Sequence, residues 1–379
     1  MALNDIREHI DQIDDQIVKL LKERMDTVAQ VAASKQATGK AIRDHARERS
    51  IINRVTLEAG DEYAPYVKDL YKLMFELTSN YQAKLMGKVS RLGAQLESAC
   101  AEYAGMKFPN RALVACQGTE GAYAQQSCEK LFEYPDILYF SSFDGVFNAV
   151  EKGMCEYGIL PIENSTAGSV TQVYDLMEKH SFHIVGANRL RIDHCLMRRP
   201  GASGPITQVV SHEQALRQCS EFFAAHPGYE AVPMENTAVA AEFAANTDRD
   251  DIAVIASANC ANLYGLDIVE SGIANMPNNS TRFICISRNL EIYPDARKVS
   301  ITFSLPHEPG SLNSIISRLA IAGVNLTKLE SRPVPGRNFE FRFFFDLEAD
   351  LHDPEIVKLI CELENRTEHF VFLGAYEER

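Results

Sequence analysis

The sequence predicts a multidomain chain: an all-α domain, then a two-lobed α/β domain, then an α+β module of ferredoxin type. Three observations predict it. Apolar residues recur at three-four helical spacing through the N-terminal region, and short apolar runs alternate with helical segments from residue 112 onward. The C-terminal residues read strand, helix, strand, strand, helix, strand. A length of 379 residues also suits two to four domains better than a single core.

Residues 3–36 read as one helix, with an apolar stripe of Leu3, Ile6, Ile10, Ile13, Ile17, Leu20, Val28 and Val31. At 1.5 Å per residue it spans about 50 Å, too long to pack well in a monomeric bundle with its shorter successors. A dimer with intertwined long helices would bury the stripe. Arg24 interrupts the apolar series, and Lys35 lies about 20° from it on the helical wheel. Two cations on an apolar face need carboxylates. Asp44 and Glu48, at i,i+4 on the next helix (41–60) with Arg47 between them, offer a structural salt-bridge network. The same pattern also fits a site for a compact dianion, gripped by the cations and hydrogen-bonded by Glu48. A third helix starts near Pro65 and carries Thr78 and Gln82 at i,i+4 on its inward face, where buried polar groups need partners. Gly87, Gly93 and Gly105 loosen the next segment, so residues 89–109 read as a helical linker ending at a domain boundary near Pro109.

From 112 the period changes. Strands at 112–116, 137–140 and 157–160 alternate with helices at 122–132 and 143–152. An extended segment, 184–197, crosses into a second lobe of strand 207–210, helix 211–225, strand 230–233, helix 236–246 and strand 252–255; strand 283–286 returns. Two crossings make a hinged cleft. Three polar clusters at strand ends can face it: PIENSTAGSV at 161–170, SHEQALRQC at 211–219 and NNSTRF at 278–283. Amides and hydroxyls at such junctions suit an anionic, hydroxylated small molecule, although the same residue types serve as ordinary caps and turns. The partial likeness of 161–164 to 234–236 is too slight to indicate duplication.

The last module, from about 297, has strands 298–305, 325–333, 339–347 and 370–376 and helices 310–323 and 353–362. It shows no obvious nucleophile or acid-base pair, which favours binding or regulation over catalysis. Phe339, Phe341, Phe343 and Phe345 alternate onto one face, as sheet core or as a surface for pairing between subunits.

A formal net charge of -14 argues against nucleic acid or an anionic membrane as partner. Nine scattered cysteines without a CxxC pair or metal-like Cys/His spacing predict reduced thiols in a cytoplasmic enzyme and no metal site. The N-terminus lacks an apolar signal core, and no run approaches the roughly 18 apolar residues of a membrane span.

Taken together, the parts resemble the bifunctional chorismate mutase/prephenate dehydratase family of phenylalanine biosynthesis over nearly the full length. The resemblance implies an intertwined-dimer mutase domain at 1–88, the linker at 89–109, and a dehydratase domain at 110–288 like type II periplasmic binding proteins. It implies an ACT regulatory domain at 297–379. In the mutase region it assigns substrate binding to Arg7, Arg24, Lys35, Asp44, Arg47, Glu48, Thr78 and Gln82, with Lys35, Glu48 and Gln82 as catalytic candidates. Arg7 lies about 25 Å along the helix from Arg24 and roughly 100° around it, so it must reach a partner subunit's pocket. Thr281, Arg282 and Phe283 reproduce the family's TRF signature. Thr281 is the implied catalytic group, and Asn164, Ser211, Gln218, Arg282 and Phe283 are implied to bind prephenate. Arg282 can orient a substrate carboxylate or turn away and brace its strand. Cys116 and Ala122 depart from the family pattern, leaving a roomier strand edge. Glu330, Ser331, Arg332 and Pro333 match the ESRP element, and Gly310, Ser311 and Leu312 stand for Gly-Ala-Leu near the implied phenylalanine site.

The implied partners are chorismate, prephenate and phenylalanine, in a homodimer or higher oligomer, with no cofactor. Two other classes fit parts of the pattern. A two-lobed anion-binding receptor normally carries an export signal, and a DNA-binding regulator with an ACT sensor needs a recognition helix and a basic face.

Overall fold

The computed structural model describes residues 3–38, 43–85, 91–334, 336 and 340–379, which fall into two compact units divided between Ala94 and Gln95. The first unit holds α1 (Leu3–Thr38) and α2 (His45–Leu85). Gly60 adopts φ 71°, ψ 165° and breaks α2 into two helical stretches, with Pro65 near the start of the second. The sequence boundaries at Ala41 and Gly87 lie outside the described residues. The predicted stripe on α1 stays open within one chain: Leu3 is 62% exposed, Ile17 55% and Leu20 63%. α3 (Arg91–Glu102) follows.

In the second unit the chain runs through β1 (Arg111–Gln117), α4 (Tyr123–Leu131), β2 (Tyr134–Phe140), α5 (Phe143–Glu151) and β3 (Tyr157–Asn164). A short β4 (Gly168–Ser169) and α6 (Thr171–Met177) precede β5 (His183–Arg191) and β6 (Cys195–Arg198), which carries the chain into the second lobe. There follow β7 (Gln208–His212), α7 (Glu213–Gln218), α8 (Ser220–Ala225), β8 (Glu230–Met234), α9 (Thr237–Asn246), β9 (Ile252–Ala256), α10 (Ala258–Tyr264) and β10 (Asp267–Ser271). The returning strand is β11 (Ser280–Ser287). The first sheet has order β2-β1-β3-β11-β5 with β4 against β3; the second is β10-β6-β9-β7-β8. β11 lies antiparallel between β3 and β5 and pairs Thr281 with Asn164. Two separate stretches of chain thereby meet at one cleft edge.

Several expectations change. The helix expected over 211–225 is two helices, because Cys219 leaves helical backbone at φ -111°, ψ 25°. The 161–170 segment is not a direct strand-to-helix junction: it folds back as the β3–β4 hairpin before α6 begins. Cys116 does not open a strand edge, since β1 lies between β2 and β3 and Cys116 is fully buried against α4.

The last module is β12 (Lys298–Ser304), α11 (Ser311–Ile321), β13 (Asn325–Pro333), β14 (Phe341–Glu348), α12 (Pro354–Arg366) and β15 (Glu368–Tyr376), in sheet order β13-β14-β12-β15. Phe339 lies outside the described residues. Phe343 and Phe345 pack around Phe303 as ordinary sheet core. Phe344, on the opposite face, meets Tyr174 of the first lobe at 4.9 Å between ring centroids. Phe344, Leu373 and Tyr376 share a core with Ile184 and Ala187, so the module and the first lobe are packed as one body. The contact is close enough that a Cβ on Gly374 would overlap the Ile184 carbonyl.

Candidate active sites

In the helical unit, Arg24 is half-buried and its guanidinium sits 5.9 Å from the Phe75 ring centroid. Its Nη1 is buried with no hydrogen-bond partner among the described residues, and burial lowers its pKa. Phe75, Thr78 and Gln82 share a face of α2 and are all buried. The Thr78 hydroxyl is taken up by its own helix, donating to the Met74 carbonyl at 2.8 Å, whereas Gln82 Oε1 is buried with no hydrogen-bond partner among the described residues. Asp44 caps α2 by accepting from the Arg47 backbone N–H at 3.0 Å, and Glu48 is bridged by Arg43 at 3.2 Å. Lys35 is half-buried; Arg7 and Arg47 are exposed. Arg24 thus holds one guanidinium nitrogen out of water with no acceptor among the described residues.

In the α/β unit the three polar clusters converge on two adjoining cavities of about 700 and 440 Å³, both lined by Asn164, His212, Gln214 and Gln218. Thr281 and Phe283 line the smaller. Asn164 is the hub. Its Oδ1 accepts the backbone N–H groups of Thr166 (3.1 Å) and Ala167 (2.9 Å), which fixes the amide and turns Nδ2 toward Asn279 Oδ1 (2.8 Å) and Thr281 Oγ1 (2.9 Å). The Thr281 oxygen therefore accepts, and its proton is available to the cleft.

Arg282 takes the second of its two expected orientations. Strand alternation sends its side chain to the face opposite Thr281. There Nη2 donates to the Tyr376 hydroxyl at 2.7 Å and Nη1 to Asp346 at 2.5 Å, and Glu378 lies 3.2 Å from Nε. The structure thus removes Arg282 from the substrate-binding set and makes it a brace to the C-terminal module. Ser211 also leaves the cleft lining: it is fully buried and donates to the Ile255 carbonyl at 2.5 Å. Sequence reading missed His194, His212, Gln214, Asn236 and Asn279. His212, Gln214 and Asn279 stand inside the polar clusters already singled out, and Asn236 opens the helix read at 236–246. His194 follows Asp193 inside the segment read as one extended crossing, 184–197, with no local pattern to mark it.

In the C-terminal module Ser311 and Leu312 line a cavity of about 350 Å³ with Pro306, His307, Phe341 and Phe343, and Gly310 begins α11 at φ 88°, in the left-handed region. Glu330 and Arg332 do not join that cavity. They face the first lobe, where Glu330 accepts from Ser169 (2.7 Å), Arg332 pairs with Asp175 (2.9 Å) and neighbouring Lys328 pairs with Glu163 (3.0 Å). Ser331 and Pro333, on the alternate face of β13, are exposed. Among the described residues, no group of His, Cys, Asp and Glu could hold a metal ion, and no helix is long and apolar enough to cross a membrane.

Comparison with known proteins matches three family models in order: chorismate mutase type II at residues 6–83, prephenate dehydratase at 114–291 and the ACT domain at 299–365. The bifunctional chorismate mutase/prephenate dehydratase of Escherichia coli strain K12 is 31% identical over 381 residues, covering 98% of this chain and 95% of that one. Among solved structures, GqqA, described as a novel type of quorum quenching acylase, superposes with a TM-score of 0.64 at 30% identity over 70% of this chain and 98% of its own. The prephenate dehydratase of Arthrobacter aurescens in complex with L-Phe gives 0.63 at 26% identity, over 70% and 89%. Likeness to one bifunctional relative across almost the whole of both chains, with the three domains in the same order, establishes that this chain belongs to the bifunctional chorismate mutase/prephenate dehydratase family.

Proposed function

We propose that residues 1–88 rearrange chorismate to prephenate, that 110–288 convert prephenate to phenylpyruvate, and that 297–379 sense phenylalanine in a cytoplasmic homodimer or higher oligomer. The mutase step is unimolecular and needs no covalent partner; its catalysis lies in holding the folded conformer and stabilising the ether oxygen as its bond breaks. Arg24 supplies the buried cation for a carboxylate, and Arg7 of the other subunit completes the pocket. Lys35 and Gln82 serve the ether oxygen; Glu48 and Asp44 serve the ring hydroxyl region. The apolar stripe left open on α1 supports an intertwined dimer, because roughly 25 cal/mol per Å² favours its burial.

The observation that carries the dehydratase reading is the hydrogen bond from Asn164 to Thr281 at 2.9 Å inside the cleft. With its oxygen already accepting, Thr281 donates to the ring hydroxyl as that group leaves as water and the ring carboxylate leaves as CO2. The proton is replaced from solvent, and aromatisation drives the step. Gln218 and Phe283 position the substrate. Regulation by phenylalanine rests on the ACT match, on the cavity at Ser311 and Leu312, and on the L-Phe complex of the Arthrobacter relative.

The test is to supply chorismate to the pure chain and follow prephenate and phenylpyruvate together, with and without phenylalanine. Both products should form in sequence, and phenylalanine should slow the second. Failure to form either product defeats the reading.

A further inference from the structure

The hydrogen bonds around Thr281 continue beyond Asn164 into the second lobe. Thr166 Oγ1 lies 2.7 Å from Asn164 Oδ1 and 3.2 Å from Asn279 Oδ1. Both are carbonyl oxygens, so the Thr166 hydroxyl must donate and its own oxygen can only accept from elsewhere. The group 3.4 Å away on the other side is the Gln218 amide, which therefore presents nitrogen to Thr166. That turns Gln218 Oε1 toward His194 Nε2, 2.9 Å away, so Nε2 must carry a proton. Each assignment follows from the one before. The first is pinned by two backbone N–H groups that no rotamer change can reverse.

We infer that His194, Gln218, Thr166 and Asn164 form a one-way hydrogen-bond relay that holds the Thr281 proton toward the cleft, with His194 and Thr166 as positioning residues. The inference rests on the reading of Thr281 as donor to the leaving hydroxyl. Every link donates in the same direction, so no member can turn its donor round without leaving two acceptors face to face. His194 suits the far end. It is 2% exposed, its backbone carbonyl is held by the Ile273 N–H at 3.2 Å, and its ring lies edge-on to Tyr123. Asn164, Thr166 and Thr281 belong to the first lobe and Gln218 to the second. The relay is thus complete only when the lobes are near enough for the 3.4 Å link, the longest of the four.

The test uses the full chain and prephenate, reading kcat and KM separately. His194→Asn places an amide near the Nδ1 position and removes the Nε2 donor, whereas His194→Gln restores an N–H close to Nε2. Thr166 is exposed, so Thr166→Val and Thr166→Ser test the middle link without disturbing a core. The Asn and Val variants should lose about ten- to a hundredfold in kcat, the scale of a misoriented catalytic group, with KM within about twofold. The Gln and Ser variants should recover most of it. Unchanged kcat in Thr166→Val, or equal losses in His194→Asn and His194→Gln, overturns the relay. Thr281→Val separates the two levels: if it is crippled while His194→Asn and Thr166→Val turn over normally, only the relay fails. If Thr281→Val itself keeps full turnover, the donor assignment fails and the relay with it.

Discussion

At the residue scale, neighbouring positions on β11 have opposite duties because side chains alternate across a strand. Thr281 turns to the cleft; Arg282 turns to the C-terminal module and is almost wholly buried among Asp346, Tyr376 and Glu378. A charge buried so deeply depends on its partners. Asp346→Ala should destabilise the α/β–ACT unit by about 1.5–3 kcal/mol, because Arg282 loses its charge-assisted Nη1 bond while Glu378 and Tyr376 stay beside it. Urea denaturation followed by tyrosine fluorescence measures this. A loss below about 1 kcal/mol, the scale of an exposed pair, counts against Arg282 as a structural brace. In the helical unit the corresponding residue is Lys35. Lys35→Ala should abolish mutase turnover and leave prephenate dehydration nearly intact, since each chemistry has its own polar constellation. Parallel loss of both rates in a folded variant contradicts that division.

At the element scale, β13 and the segment after β15 act as clamps. β13 presents Lys328, Glu330 and Arg332 to the β3–β4 hairpin and α6. After β15 the chain pairs with β5 through Ala187, and Glu378 there contacts Arg189, Arg282 and Lys298. Burial opposes the Glu378 charge, but hydrogen bonds from Lys298 and Arg189 and the charge of Arg282 outweigh it, holding its pKa at about 2 against an ordinary 4.5. The folded-state value is depressed, so this contribution to stability is complete above about pH 4.5 and is lost as pH falls toward 2. Thermal unfolding measured across that window should therefore depend less steeply on pH in Glu378→Gln than in the parent chain. Identical slopes would show that another carboxylate dominates acid unfolding.

At the scale of the whole molecule, the question is how many chains make one site and how the sensor reaches the cleft. If Arg7 completes the partner's mutase pocket, mixing Arg7→Ala with Arg24→Ala chains under subunit exchange should restore a fraction of active sites. One pocket of each heterodimer then has both arginines. No recovery, with heterodimers demonstrated, rules out sharing. For regulation, phenylalanine must favour one of two states of the cleft, and a coupling of about 1–3 kcal/mol corresponds to roughly 5- to 150-fold in affinity. The braces at Arg282 and Lys328 touch residues adjacent to Thr281 and Asn164, which gives such coupling a short route within one chain. Phenylalanine binding measured with and without prephenate should differ by that factor; independent binding refutes the regulatory claim, however tight it is.

Periodicity and turn chemistry made much of this architecture legible in the sequence: helical spacing gave the long α1, alternation of short apolar runs gave the two lobes, and the βαββαβ order gave the last module. Polar clusters at the ends of apolar runs pointed to a cleft, while the resemblance to the family, through its TRF signature, is what named Thr281, Asn164 and Gln218. Local pattern had no means of fixing which way each polar group points. Ser211 spends its hydroxyl on a carbonyl 44 residues further along the chain, and Arg282 is claimed by residues 64 and 94 positions away. His194 becomes part of the cleft only when α7 brings Gln218 beside it. These are contacts between segments far apart in sequence, decided by the sheet order and by the packing of one domain on another, and only the tertiary structure contains them.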